Sequence, residues 1–262
     1  MKEKRLALLN TASVILVLVV NYYSQAFGIN GNTVGSLSNR YENLFTPASY
    51  AFSIWGIIFL MMLVYAVRQL WLAFGRSKNI EGILKTGYLF AIGNALNASR
   101  VVVWLYEWTA VSVMVMVGLL LCLIQILMKV VNTSSNPTWK QRIMEQWPVT
   151  IYAGWITVAT VANMSAFLAK LNWTGGPFSE LQWTLLMISI AIVVNVLVIW
   201  KWRISSFALV GAWALYAISA RHESNYVDIS QLAFSGAVIL LVGAVLQSIL
   251  SMINRRTLAS SL

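Results

Sequence analysis

The sequence predicts an all-α integral membrane protein with about eight transmembrane helices. Three observations predict it: the composition, the length of the apolar runs, and the alternation of basic residues between them. Of the 262 residues, 59% are hydrophobic and only 10% charged, whereas soluble domains carry roughly 25% charged residues. Mean hydropathy is +0.74. Apolar runs of about 17–25 residues match the thickness of a bilayer's hydrocarbon core.

The runs fall, in chain order, at residues 6–23, 48–70, 85–106, 109–130, 148–170, 183–200, 204–220 and 230–253. The seventh is the shortest. Polar segments separate them, among them GINGNTVGSLSNRYENLF, NTSSNPTWKQRIMEQ and RHESNYVDIS. Basic residues favour cytoplasmic loops, and they test the count. With the N-terminus inside, fourteen of the eighteen Lys and Arg fall on the cytoplasmic side. They are Lys2, Lys4, Arg5, Arg68, Arg76, Lys78, Lys85, Lys129, Lys140, Arg142, Lys201, Arg203, Arg255 and Arg256. The other side keeps Arg40, Lys170 and Arg221, and Arg100 stands inside a span. A missed or invented helix would scramble this alternation. The expected protein is therefore multi-pass in the cell (plasma or inner) membrane, with both termini cytoplasmic. The start, MKEKR followed by LALLNTASVILVLVV, also fits a cleaved signal peptide, which would leave seven spans.

Composition excludes several functions. The net charge is +10, but the basic residues are dispersed between apolar runs with no basic stripe, so no nucleic-acid partner is expected. One cysteine (Cys122) and one histidine (His222) supply neither an intrachain disulfide nor a His/Cys metal site. No metal site, catalytic residue or required cofactor is expected. General acid–base chemistry lacks candidates, because the spans hold no carboxylate away from their ends.

Three stretches combine tryptophan, asparagine and proline at fixed spacings. FTPASYAFSIWGIIF holds Pro47, Phe52, Trp55 and Phe59; LNASRVVVW holds Asn97, Arg100 and Trp104; WPVTIYAGWITVATVANM holds Tyr152, Trp155, Ala159 and Asn163. Together these resemble the tryptophan-rich sensory protein, or translocator protein (TspO), family. Its second helix has a P-x-x-x-x-F-x-x-V-W-x-x-x-Y pattern, which Pro47 and Phe52 match here, with Trp55 one position before the pattern's tryptophan and Phe59 four residues after it in the tyrosine's place. Its third carries L-N-x-x-W, where Leu96 and Asn97 match and Arg100 replaces the tryptophan. Its fifth carries Y-x-x-W-x-x-x-A-x-x-x-N, matched in full by Tyr152, Trp155, Ala159 and Asn163.

The resemblance implies a five-helix TspO-like bundle over residues 1–171, followed by a three-helix extension over 172–262. It implies a ligand cavity between helices, closed by the first long connection, residues 24–47. Planar hydrophobic ligands such as a porphyrin-like tetrapyrrole, or a lipid, are then expected. The expected ligand-binding set is Pro47, Phe52, Trp55, Asn97, Arg100, Trp104, Tyr152, Trp155 and Asn163. The lipid bilayer and a small hydrophobic ligand are the expected partners, and a homodimer is open to such a bundle. Transport of a small amphipathic or anionic metabolite is the alternative, although no internal repeat or broken-helix Gly/Pro pair shows in the sequence.

The residues themselves leave choices open. Buried asparagines must find partners inside a membrane, so Asn97 and Asn163 are interhelical glue or ligand contacts. Trp55, Trp155 and Trp213 lie too deep for an interfacial belt, and a buried indole N–H wants an acceptor. A charge within a span is a functional candidate by default. Arg100 lies about 10 Å along its helix from Glu107 and on nearly the same face. Its partner is therefore either Glu107 or an anionic ligand group.

Overall fold

The structure, a computed structural model, describes residues 1–75, 80–131 and 138–260, without the side chains of residue 131 and residues 254–260. Arg76 and Lys78, and the side chains of Arg255 and Arg256, lie outside the described residues. The fold is all-helical. In order it comprises α1 (Lys2–Ala26), α2 (Val34–Arg40), a 3₁₀ turn (Ser49–Ser53), α3 (Ile54–Phe74), α4 (Glu81–Thr86), α5 (Leu89–Leu105) and α6 (Thr109–Val131). There follow α7 (Trp139–Gln141), a π-helical turn (Arg142–Gln146), α8 (Trp147–Lys170), α9 (Glu180–Trp202), α10 (Ser205–His222) and α11 (Val227–Ser260).

Six helical segments among the described residues are long and apolar enough to cross a membrane: Lys2–Ala26, Ser49–Phe74, Thr109–Val130, Trp139–Lys170, Glu180–Trp202 and Val227–Ile253. The other two expected spans differ. The third, read as one run over 85–106, breaks at Gly87, whose φ of +56° and ψ of −136° is a conformation only glycine adopts without strain. This leaves an apolar helix of 17 residues, α5. The seventh corresponds to α10, which has 18 residues and ends on His222 and Arg221 rather than before them.

Two compact units divide the chain. Unit 1 comprises residues 1–43 and 53–172; unit 2 comprises residues 44–52 and 173–262. In unit 1, α1 packs on α3 and α5, α5 on α6, α6 on α8, and α8 on α3. Outward-facing Ile15, Leu60, Val67, Met114 and Leu121 present the apolar face that lipid requires. In unit 2, α9, α10 and α11 pack together. Gly211 of α10 lies so close to Asn195 of α9 that a Cβ would meet its amide at 2.5 Å.

Residues 44–52 belong to unit 2 because its polar groups capture their backbone. His222 Nε2 lies 2.9 Å from the Leu44 carbonyl, Arg221 donates to the Pro47 carbonyl at 3.2 Å, and Trp213 Nε1 donates to the Ala51 carbonyl at 3.1 Å. The deep indole of Trp213 thus finds its acceptor. Pro47 stands two residues before the 3₁₀ turn Ser49–Ser53, which runs directly into α3 at Ile54.

Candidate functional site

The centre of unit 1 is lined by α3, α5 and α8. Every third or fourth residue of α5 turns a polar or aromatic side chain inward: Asn94, Asn97, Arg100 and Trp104 are all buried. On α8, Tyr152 and Trp155 repeat the same spacing, with exposures of 1% and 2%. Trp55 of α3 lies among them. Its ring meets Tyr152 edge-on at 6.3 Å and Trp155 edge-on at 6.5 Å, and stacks on Phe59 at 5.3 Å. Such edge contacts suit the ring quadrupoles and hold the indole by about 0.5–1.5 kcal/mol each.

Arg100 is buried at 7% exposure. Its guanidinium carbon lies 5.6 Å from the centre of the Trp55 ring. Among the described residues it meets no carboxylate, and its Nε is buried without a hydrogen-bond partner. A cation–π contact contributes about 0.5–2 kcal/mol, less than the several kcal/mol that burying an ion costs. One turn on, Trp104 is 5% exposed, and its Nε1 also lacks an acceptor. Residues four apart on a helix are neighbours. Two residues with a buried donor lacking an acceptor therefore stand one turn apart on α5.

Asn97 donates to the Tyr152 hydroxyl at 2.7 Å, which leaves that hydroxyl's own proton to donate elsewhere. Asn163 instead donates to Ser112 of α6 at 2.9 Å, the packing role that interhelical asparagines commonly fill. The structure thus brings together Trp55, Asn97, Arg100, Tyr152 and Trp155, with Trp104 one turn along α5. Pro47 and Phe52 belong to unit 2.

The connection after α1, the lid that the resemblance implies, packs on the end of α5. A bridge between Ile29 and Asn32 turns the chain, helped by positive φ at Gly28, Asn30 and Gly31. Thr33 and Ser36 then cap α2 reciprocally. Leu37 of α2 is fully buried against Val101, Trp104, Leu105 and Ala166, and the Tyr41 ring meets Trp104 edge-on at 6.4 Å. Polar contacts hold the lid's end. Glu107 accepts from Arg40 at 2.7 Å and from the Tyr41 hydroxyl, and its carbonyl accepts from Lys170 at 2.6 Å. Arg40 also reaches Asn32, at 3.2 Å. Glu107 therefore pairs with Arg40 and not with Arg100, and Arg40 is not an ordinary solvated loop residue. The Tyr41 hydroxyl first, and then Arg40 and Lys170, hold the Glu107 carboxyl below its usual range, against a smaller upward push from burial. The same hydrogen bond, with burial, pushes the Tyr41 hydroxyl up.

A membrane helical bundle of this family was expected from the resemblance, and the sequence profile described as TSPO-like protein matches residues 7–246. The chain belongs to this family. The TSPO-like match runs from α1 into α11 and so includes both units. No curated protein and no solved structure matches the chain. Among the described residues no group of three or more His, Cys, Asp or Glu gathers as metal ligands do.

The latch around Glu107 was missed by sequence reasoning, since its members come from three separate segments. One signal was available: Glu107 and Arg40 fall on the same side in the alternation of loops.

Proposed function

We propose that this TSPO-like protein is a membrane receptor or carrier that binds a planar hydrophobic ligand bearing an anionic group. Trp55, Tyr152 and Trp155 would supply aromatic faces and edges, and the lid over residues 24–43 would close above them. The observation that carries the reading is the pair of buried donors without an acceptor, Arg100 Nε and Trp104 Nε1. A carboxylate would satisfy both and compensate the buried guanidinium. A porphyrin-like tetrapyrrole, flat and carrying carboxylates, fits this chemistry; an anionic lipid is the other candidate. We place the lid on the outer face and both termini in the cytoplasm, on the distribution of basic residues. Asn163, bonded to Ser112, would act on the ligand through the packing of α8 on α6.

The test is quenching of tryptophan fluorescence by protoporphyrin, titrated into the full chain in nanodiscs. Saturable quenching is expected, weakened in Arg100→Ala and Trp155→Ala. Linear, non-saturating quenching in the wild type sinks the reading.

One observation favours the transport alternative. The break at Gly87 is the kind of discontinuous helix that transporters place beside their binding sites. Flux of small organic anions into liposomes containing the protein would separate carrier from receptor.

A further inference from the structure

A second polar cluster lies in unit 1, around the α4–α5 break. Asn10, Asn94 and Thr86 are fully buried, Gln69 is 2% exposed, Tyr65 3% and Ser13 8%. Asn10 Nδ2 donates to Gln69 Oε1 at 2.8 Å and, at a long 3.4 Å, to the Gly87 carbonyl at the break. Asn94 Nδ2 donates to Ser13 Oγ at 2.9 Å, and Ser13 donates to the Asn10 carbonyl at 2.7 Å. The Tyr65 and Thr86 hydroxyls pair at 2.6 Å.

The bonds do not close. Asn10 Oδ1 and Asn94 Oδ1 have no donor, and Gln69 Nε2, beside Tyr65, has no acceptor of good geometry. Turning the Asn94 amide over does not help, because Ser13 offers one hydroxyl and one amide atom of Asn94 is then left over. Lipid offers no partner, and each orphaned buried group costs several kcal/mol. Two acceptors and one donor in one connected cluster are the complement of a molecule with two O–H donors and an acceptor. No carboxylate stands in the cluster to offset a cation, and Arg68, next to Gln69, already has Glu145.

We propose that Asn10, Ser13, Gln69 and Asn94 form a hydration site, taking water between the two amide oxygens and Gln69. Asn94, Asn97 and Arg100 follow one another along α5 with about 4.5 Å of rise between them, and Asn97 Oδ1 is likewise without a donor. Water at the cluster therefore continues a polar file from the Gly87 break to Tyr152 and Arg100. This deepens the ligand-binding reading by giving the aromatic centre a hydrated polar neighbour, but the hydration site itself stands without that reading.

Radiolytic hydroxyl-radical footprinting of the full chain in nanodiscs, run in ¹⁸O-water, tests it. Tyr65 and Phe90, whose rings meet edge-on at 5.0 Å, are too buried for bulk solvent to reach. A bound water would give both ¹⁸O at rates within about tenfold of exposed tyrosines. Asn94→Leu and Asn10→Leu should each cut that labelling by about tenfold or more, since each removes an acceptor. No label on Tyr65 in the wild type overturns the proposal, even if a variant fails to fold. Equal labelling in a well-folded Asn94→Leu overturns it too. Labelling abolished by sodium, relative to choline, would assign the cluster to a cation instead. Failure of protoporphyrin to bind would leave the footprint as expected, so the two readings fail separately.

Discussion

Two buried arginines of unit 1 stand in opposite circumstances. Arg68, near the end of α3, is 9% exposed; its Nε lies 2.9 Å from Glu145, and its guanidinium stacks 4.9 Å from the Trp71 ring. Arg100, at the centre of α5, is 7% exposed, lies 5.6 Å over Trp55 and has no carboxylate. Both use an indole, and only one has a counter-ion. The π-helical turn that carries Glu145 exists where Arg68 needs it, and the fold supplies no equivalent for Arg100. A charge that the chain compensates internally is structural. One that it buries without compensation carries the proposed ligand-binding reading, because an anionic group would supply the missing partner.

The comparison would break most decisively in binding. Arg100→Ala removes the cation that lies over Trp55, and affinity for protoporphyrin should fall by about 30–100-fold, as for a lost charge-assisted pair. Its thermal stability should be unchanged or higher, because an uncompensated buried charge has been removed. Arg100→Ala that lowers the melting temperature while leaving affinity intact would make Arg100 structural.

Arg68→Ala should do the reverse. It leaves Glu145 without its partner, and stability in detergent should fall by about 1–3 kcal/mol, discounted from a fully buried pair because Glu145 keeps some water. Protoporphyrin affinity should stay within about threefold. The double change Arg68→Met with Glu145→Gln should recover much of the loss, since an apolar replacement of the whole pair is tolerated where half of it is not. If the double variant is no more stable than Arg68→Ala, the salt bridge is not what Arg68 contributes.

These two environments differ in how legible they were. Arg100 stands out in sequence because an apolar run surrounds it, and the spacings around Trp55, Asn97, Tyr152 and Trp155 point to one interior face. Arg68 reads as a terminal basic residue of its span, and Glu145 lies far away in a polar connection, so their pairing could not be read. The same holds for Arg40, Tyr41, Lys170 and Glu107: periodicity says which face a residue occupies within one helix, and says nothing about which segments meet. Gly87 was hidden because the apolar run continues through it, and a single glycine inside a span is common. Pro47 and Phe52 carry the motif of an aromatic helix start. The polar groups of α10 nevertheless draw their backbone into unit 2, a long-range competition that no local pattern shows.

A smaller effect probes the neutral part of the centre. Tyr152→Phe removes the acceptor for Asn97 and the hydroxyl proton, while keeping the ring against Trp55. Affinity should fall by about threefold to tenfold, the effect of one hydrogen bond. Asn97→Leu together with Tyr152→Phe should add little beyond Tyr152→Phe, because both act on one bond. Independent, additive losses in this cycle would mean that Asn97 meets the ligand directly.

The smallest effect belongs to the lid, where charge is again compensated, as at Arg68. Glu107's carboxyl is held below the usual carboxylate range, chiefly by the Tyr41 hydroxyl. A depressed carboxyl pKa means that the latch is complete above about pH 4.5 and is lost as pH falls through the lower folded value. Hydrogen exchange at residues 33–41 should therefore be flat from pH 7 to about 5, after correction for intrinsic rates, and rise below that. Glu107→Gln should abolish the step and set exchange at the raised level throughout. The change is small because Leu37 remains buried against Val101 and Trp104, so the lid loosens rather than leaves. A step that persists unchanged in Glu107→Gln would show that some other carboxyl governs the lid, and Arg40 would then have to be sought beside it.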